Sequence, residues 1–324
     1  MTLTEAYPWL LPVAQRLDQA IRADRLGHAP LLTGPPGSGK TLLANWLAQR
    51  VLCLNPLPTG PCGECRSCQL FDANTHPDLV RLSVLEDKSA ILVEQVRELI
   101  DGLNLTPSIG SRRVGMIQPA DHLNANAANA LLKTLEEPGE GIVLILMSER
   151  PERLPATVRS RCQAVPLPRP DHAQSIAWLQ AHVSADHASD FAQALALADG
   201  APNRAAQWLL DGQYAFAIEM HAQLDRWLNE PERAPAPLTE WLEQPARTWA
   251  WLARWTQVWL RQLMTGASDE PLVSTRIHSA PSKVSQLQHC WHEALEGRRL
   301  ADKPVRHDWL LQRWLTNWQR LANG

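Results

Sequence analysis

Eight consecutive residues, Gly34, Pro35, Pro36, Gly37, Ser38, Gly39, Lys40 and Thr41, match the pattern G-x-x-x-x-G-K-[ST] in full. Glycines at these positions let backbone N–H groups close around phosphate oxygens. The lysine then reaches the outer phosphates, and the threonine hydroxyl can ligate magnesium. The expected ligand is ATP or ADP, with Mg2+ only when a nucleotide is bound; the alternative is a relic loop that keeps its shape but holds nothing. A second cluster, Cys53, Cys62, Cys65 and Cys68, forms two overlapping C-x-x-C knuckles with one cysteine upstream. Four thiolates complete a tetrahedral structural Zn2+ and leave no open position for catalysis. Four reduced, unrelated thiols are the competing reading. Gly60, Pro61 and Gly63 supply tight turns between the cysteines, and His76, in "THPD", suits a turn better than a metal.

Hydrolysis needs more than a phosphate loop. An acidic residue past the second apolar strand holds magnesium, and a neighbouring group orients the attacking water. Here the apolar strand "RRVGMIQ" (112–118) runs into Gln118 and Pro119. Glutamine is neutral and proline has no side-chain base. Asp121 lies three residues past Gln118, away from the strand tip, and the strand "DLVRLS" (78–83) also ends without an acidic pair. Glu136 and Glu137 close a helix before Pro138, where capping and packing suit them better than a metal. The pattern predicts binding without turnover.

These residues need a scaffold, and the hydrophobic pattern supplies one. Apolar strands are predicted at 29–34, 78–83, 112–118, 141–148 and 164–168, with helices at 13–26, 41–52, 90–104, 124–138 and 154–163. Strands alternating with helices predict a parallel sheet with crossover helices. From about residue 171 the patterns are helical, and 12 of the 14 Trp lie beyond residue 170. Trp251, Trp255 and Trp259, spaced i, i+4, i+8, read as the buried seam of a helix bundle rather than a stacking surface for DNA bases. The Pro-rich stretch 229–238 reads as a connection between its helices. Cys290 reads as a small buried apolar residue.

Composition narrows the class. With 324 residues, 45% hydrophobic and 20% charged, the chain is globular rather than disordered. Net charge is −3, and only five of 31 basic residues are lysine, which argues against direct nucleic-acid binding as the main task. The longest apolar run, "IVLILM" (142–147), is far short of a membrane span, and "MTLTEAYPWLLP" lacks the pattern of a secretory signal. A cytoplasmic location, without membrane contact, is the expectation. Clustered cysteines in a reducing compartment favour metal over disulfides.

"NALLKTLEEP" (129–138), "LPATVRSRCQ" (154–163), the cysteine excursion after the phosphate-loop helix, "YPWL" and "THPD" together resemble the clamp-loader branch of the AAA+ ATPases. The resemblance is dense over residues 7–165; beyond it, only length and helical character match. It implies an α/β P-loop AAA+ domain (1–165, with the zinc excursion at 53–68), a small helical lid (166–207) and an all-α collar domain (208–324). It also implies a five-subunit loader of the DNA polymerase III holoenzyme, which places a sliding clamp on primed DNA during replication. The partners would be the gamma/tau and delta subunits.

In Ser160-Arg161-Cys162 the resemblance makes Arg161 an arginine finger, offered in trans to a neighbour's ATP. Arg159 and Arg153 are alternative donors, and a surface salt bridge is the plainer role. In hydrolysing relatives an arginine in the lid faces the nucleotide. "DGAPNRAAQWL" (199–209) places Asn203 in that register, and Arg204, one step along, should face about 100° away. No intrinsic ATPase is therefore expected. Two other functions compete. One is an autonomous ATP-hydrolysing motor acting on nucleic acid, with Asp121 or Glu136/Glu137 as substitute base. The other is a zinc-module DNA binder, disfavoured because Arg66 is the lone basic residue of the knuckle.

Overall fold

In the computed structural model the parallel sheet has the strand order β2-β3-β4-β1-β5, with every pairing parallel. The strands are β1 (Pro30–Thr33), β2 (Leu79–Ser83), β3 (Arg113–Gln118), β4 (Ile142–Ser148) and β5 (Gln163–Pro166). The structure describes residues 7–85, 88–230, 239–265 and 283–323. All seven residues of β4 are buried, as a central strand covered on both faces requires. β3 is buried from Arg113 to Ile117 and emerges at Gln118. Gly115 is forced by packing: a Cβ there would lie 2.9 Å from both Leu103 and Leu144 side chains.

The chain divides into two compact units, Met1–Ser175 with Gly200–Arg204, and Ile176–Asp199 with Ala205–Gly324. The first holds the sheet and helices α1 (Leu11–Arg22), α2 (Lys40–Leu52), α3 (Arg66–Asp72), α4 (Val93–Leu103), α5 (Ala125–Glu136) and α6 (Ala156–Arg159). One face of the sheet packs on α4 and α5 through Val96, Leu99, Leu103, Leu131, Leu135, Leu144 and Leu146. Helix α5 starts where the Asn124 side chain accepts the Ala127 N–H. The helix expected over 154–163 shortens to α6, because Pro155 precedes it and Gln163 already pairs with β1. Helix α3 was not legible in the cysteine run; the Cys65 thiol caps it by accepting the Cys68 N–H.

A buried polar knot fixes the start of β2. The Asp78 carboxylate is fully buried and accepts the N–H groups of Ser108 and Ile109 at 2.7 and 2.9 Å. The Arg113 guanidinium lies 3.6 Å away and donates to Pro77 O.

The second unit contains most of α7 (His172–His182), then α8 (Phe191–Leu197), the rest of α9 (Pro202–Leu210), α10 (Gln213–Asn229), α11 (Thr239–Glu243), α12 (Pro245–Thr265), α13 (Lys283–Arg299) and α14 (His307–Asn323). Beyond Pro166 the described residues form no strand. The expected Pro-rich connection falls largely on residues 231–238, outside the described residues. The tryptophan spacing on α12 produces a buried seam. Trp251 and Trp255 stack at 6.1 Å, Trp259 meets Trp318 at 4.6 Å, and Trp318 stacks on Trp314 at 5.1 Å. Trp255, Trp314 and Trp318 are fully buried, and Trp314 Nε1 donates to Cys290 O at 2.7 Å. Cys290 is buried as read, and burial pushes its thiol up to about 12. Gly297 lets α13 approach α12, since any Cβ would overlap the Trp249 indole. No helix among the described residues is long and apolar enough to cross a membrane.

Candidate nucleotide and metal sites

The phosphate loop leaves β1 at Thr33 and enters α2 at Lys40. Gly37 and Gly39 have φ of +78° and +91°, a region open to glycine at no steric cost. Leu10 and Tyr7, from the "YPWL" segment, press on Gly39, where a Cβ would sit 2.7 and 3.1 Å from their side chains. Ser38 is buried, and its Oγ has no hydrogen-bond partner among the described residues. The Lys40 ammonium folds back onto its own loop, donating to Gly34 O at 2.9 Å and Pro35 O at 2.8 Å, and lies 3.4 Å from Glu149 Oε1. Burial lowers the pKa of Lys40, against the opposing pull of Glu149.

Two strand tips face this loop. At the end of β3, the neutral amide of Gln118 donates from Nε2 to Thr41 Oγ1 at 2.8 Å. At the end of β4, Glu149 follows buried Ser148, and its N–H donates to Asp121 Oδ1 at 3.2 Å. Glu149 was not singled out from the sequence, because only the sheet order brings it to Lys40.

Asn203, in the register expected for a lid arginine, and its neighbour Arg204 both lie beside Gly37. A Cβ on Gly37 would lie 2.9 Å from Asn203 Oδ1, 3.1 Å from Ala201 Cβ and 3.3 Å from Arg204 Cβ. The Arg204 charge depresses Lys40 further.

The four predicted cysteines converge. Their Sγ atoms all lie within 4.8 Å of one another, with separations of 3.5 Å (Cys53–Cys62), 4.0 Å (Cys53–Cys65) and 3.9 Å (Cys62–Cys68). Tetrahedral ligands about 2.3 Å from a zinc ion would be about 3.8 Å apart. Backbone N–H groups already point at the sulfurs, from Cys62 to Cys53, Cys65 to Cys62 and Cys68 to Cys65 at 3.3–3.4 Å. Such donors stabilise thiolate: the Cys65 N–H lowers Cys62, whereas burial raises Cys68. The set fits a metal ion. His76 stays outside it, accepting the Asp78 N–H at Nδ1 and meeting Ser67 Oγ at 2.8 Å, which in turn donates to Leu52 O.

Arg161 follows α6 and is held by its own chain. One guanidinium nitrogen lies 2.6 Å from Glu136 Oε1; another donates to Thr157 O at 2.9 Å. Arg153 and Arg159 are exposed nearby in sequence. Cys162 is tucked against the sheet core, where burial pushes its thiol up to about 11.

Comparison with known proteins follows this geometry. The family described as "DNA polymerase III, delta subunit" matches residues 11–171. The DNA polymerase III subunit delta' of Pseudomonas aeruginosa is 42% identical over 200 residues, covering 62% of this chain and 60% of that protein. The chain thus spans about 60% of the length of that relative. The subunit delta' of Yersinia pestis is 32% identical over 337 residues, covering 97% of this chain and 95% of that protein. A DNA polymerase III gamma subunit-related protein from Thermotoga maritima shares the fold, with a TM-score of 0.51 at 17% identity over 94% of this chain and 99% of that one. Matched along nearly its whole length, the chain belongs to the family of DNA polymerase III delta' subunits.

Proposed function

We propose that this chain is a non-hydrolysing subunit of the DNA polymerase III clamp loader, which donates Arg161 in trans to the ATP site of a neighbouring gamma/tau subunit. The observation that carries the reading is Gln118: its neutral amide, bonded to Thr41, leaves the tip of β3 without an acid to hold magnesium there. A subunit that cannot turn over its own nucleotide contributes to catalysis through a group offered outward. Arg161 is the candidate because its guanidinium is held by Glu136, is partly exposed, and stands at the centre of Ser160-Arg161-Cys162, the motif that carries the resemblance. A guanidinium in trans neutralises charge developing on the γ-phosphate, an effect worth about 10³–10⁵ in rate.

The remaining assignments follow from that role. The delta subunit, the sliding clamp and primed DNA are met through the complex, in the cytoplasm. Residues 1–165 act as the AAA+ domain, 166–207 as its lid and 208–324 as the collar that assembles with partner subunits. The four cysteines hold a structural zinc, whose chemistry is to cross-link residues 53–68 without catalysis. ATP or ADP occupies the phosphate loop, with magnesium only alongside it.

The test is clamp- and DNA-stimulated ATP hydrolysis by the reconstituted loader with this chain wild-type or Arg161→Ala. Loss of one site's share of turnover, with assembly intact, is the expected result. Unchanged turnover removes the finger. The motor reading gains from Arg204 beside the loop, and appreciable hydrolysis by the isolated chain would promote it over this one.

A further inference from the structure

We propose that the phosphate loop of this chain takes a nucleoside diphosphate in preference to a triphosphate, and that Glu149 sets the preference. The proposal rests on the reading of residues 34–41 as a nucleotide site, and deepens it by naming the ligand.

In a phosphate loop the backbone N–H groups and the N-terminus of the following helix enclose the inner phosphates. The lysine bridges the last two, so the terminal phosphate projects past the loop toward the neighbouring strand tips. The inner part of that site is intact here. Gly37 and Gly39 hold the left-handed conformations the loop needs, α2 is 13 residues long, and the buried Ser38 hydroxyl has no partner among the described residues. A diphosphate finds donors for its charge.

The outer part is built differently. Glu149 Oε1 lies 3.4 Å from Lys40 Nζ, the ammonium that a third phosphate would seek. Its backbone is fixed by the hydrogen bond from Glu149 N to Asp121 Oδ1, so a second carboxylate stands close behind the first. Two positive charges, Lys40 and Arg204, meet two negative ones, Glu149 and Asp121, leaving no surplus for a further phosphate. Magnesium ordinarily offsets such crowding. Here the tip of β3 offers Gln118, whose amide nitrogen already donates to the Thr41 hydroxyl oxygen a magnesium ion would use. A terminal phosphate would therefore displace the Glu149–Lys40 pair and face both carboxylates with little help from a cation. One added like charge at such distances weakens binding by about tenfold.

Isothermal titration calorimetry on the full chain tests this, with ADP and ATP titrated into wild-type, Glu149→Gln and Lys40→Ala protein, each with and without Mg2+. Matching far-ultraviolet circular dichroism confirms that the variants fold. Wild-type protein should bind ADP about tenfold more tightly than ATP, with or without Mg2+. Glu149→Gln should narrow the ratio several-fold, chiefly by strengthening ATP, and Lys40→Ala should lose both ligands. ATP binding as tightly as ADP, or overtaking it once Mg2+ is added, would overturn the proposal, as would an unchanged ratio in Glu149→Gln. Absence of heat with both nucleotides, or full binding by Lys40→Ala, would overturn the nucleotide site itself, and the preference with it.

Discussion

Stripping metal from the four-cysteine module should loosen residues 53–76 and leave the parallel sheet folded. The reasoning follows what each segment would lose. Cys53 directly follows α2, Cys65 caps α3, and His76 closes the module through Ser67 to Leu52 O. A structural zinc would contribute roughly 10 kcal/mol or more to ordering such a segment. The amide-to-sulfur and Ser67 contacts left behind stabilise it by only about 1 kcal/mol each. The next element does not depend on the cysteines, because Asp78 is anchored by Ser108, Ile109 and Arg113. Disruption should therefore stop between His76 and Asp78. Hydrogen–deuterium exchange read by mass spectrometry, with and without a strong chelator, resolves that boundary. Losing even about 4 kcal/mol of local opening free energy raises exchange in 53–76 by about 10³-fold. Peptides from β1, β3 and β4 should change little. Lost protection through β3 and β4 would refute the reasoning by making the metal global, and unchanged exchange in 53–76 would remove the metal.

Asp78→Ala should cost about 3–5 kcal/mol in urea unfolding, since it strands the buried Arg113 and two amides; a cost below about 1 kcal/mol would mean Arg113 finds another partner. Trp255→Ala, at a fully buried position between Trp251 and His221, should cost about 3–5 kcal/mol. Trp309→Ala, at 62% exposure, should stay within about 0.5 kcal/mol, and equal losses at the two positions would contradict the packing described. Lys40→Ala should leave turnover of the reconstituted loader near wild type, because the chemistry is assigned to a neighbour's site; a large loss would make nucleotide in this chain a requirement.

What could be read from the sequence was what repeats or stays local. Alternating apolar runs gave five strands, because a strand buried on both faces, such as β4, must be apolar throughout. The phosphate loop and the cysteine knuckles were legible because both close over a few consecutive residues. The Trp251, Trp255 and Trp259 spacing revealed its buried face for the same reason. The site's cross-chain contacts were not legible. Glu149 reaches Lys40, Gln118 reaches Thr41 and Glu136 reaches Arg161 only after β4 inserts between β3 and β1. Helix α3 was missed because its cap is a thiol, outside the usual Ser, Thr, Asp and Asn.

The tryptophan seam gives the two units different optical signatures. Twelve of the 14 indoles follow residue 170, and only Trp9 and Trp46 belong to the sheet unit. Rings with centroids 4.6–6.1 Å apart, in the stretch from Trp251 to Trp255 and from Trp259 through Trp318 to Trp314, are close enough to share excitation. Intrinsic fluorescence of the intact chain is thus mainly a report on the helical unit, with Trp9 beside Tyr7 and Trp46 against Gly60 as the sheet unit's two contributors. An unfolding curve followed by emission and one followed by exchange in β3 and β4 describe two different parts of the molecule. Any difference between their midpoints measures how independently the two units melt.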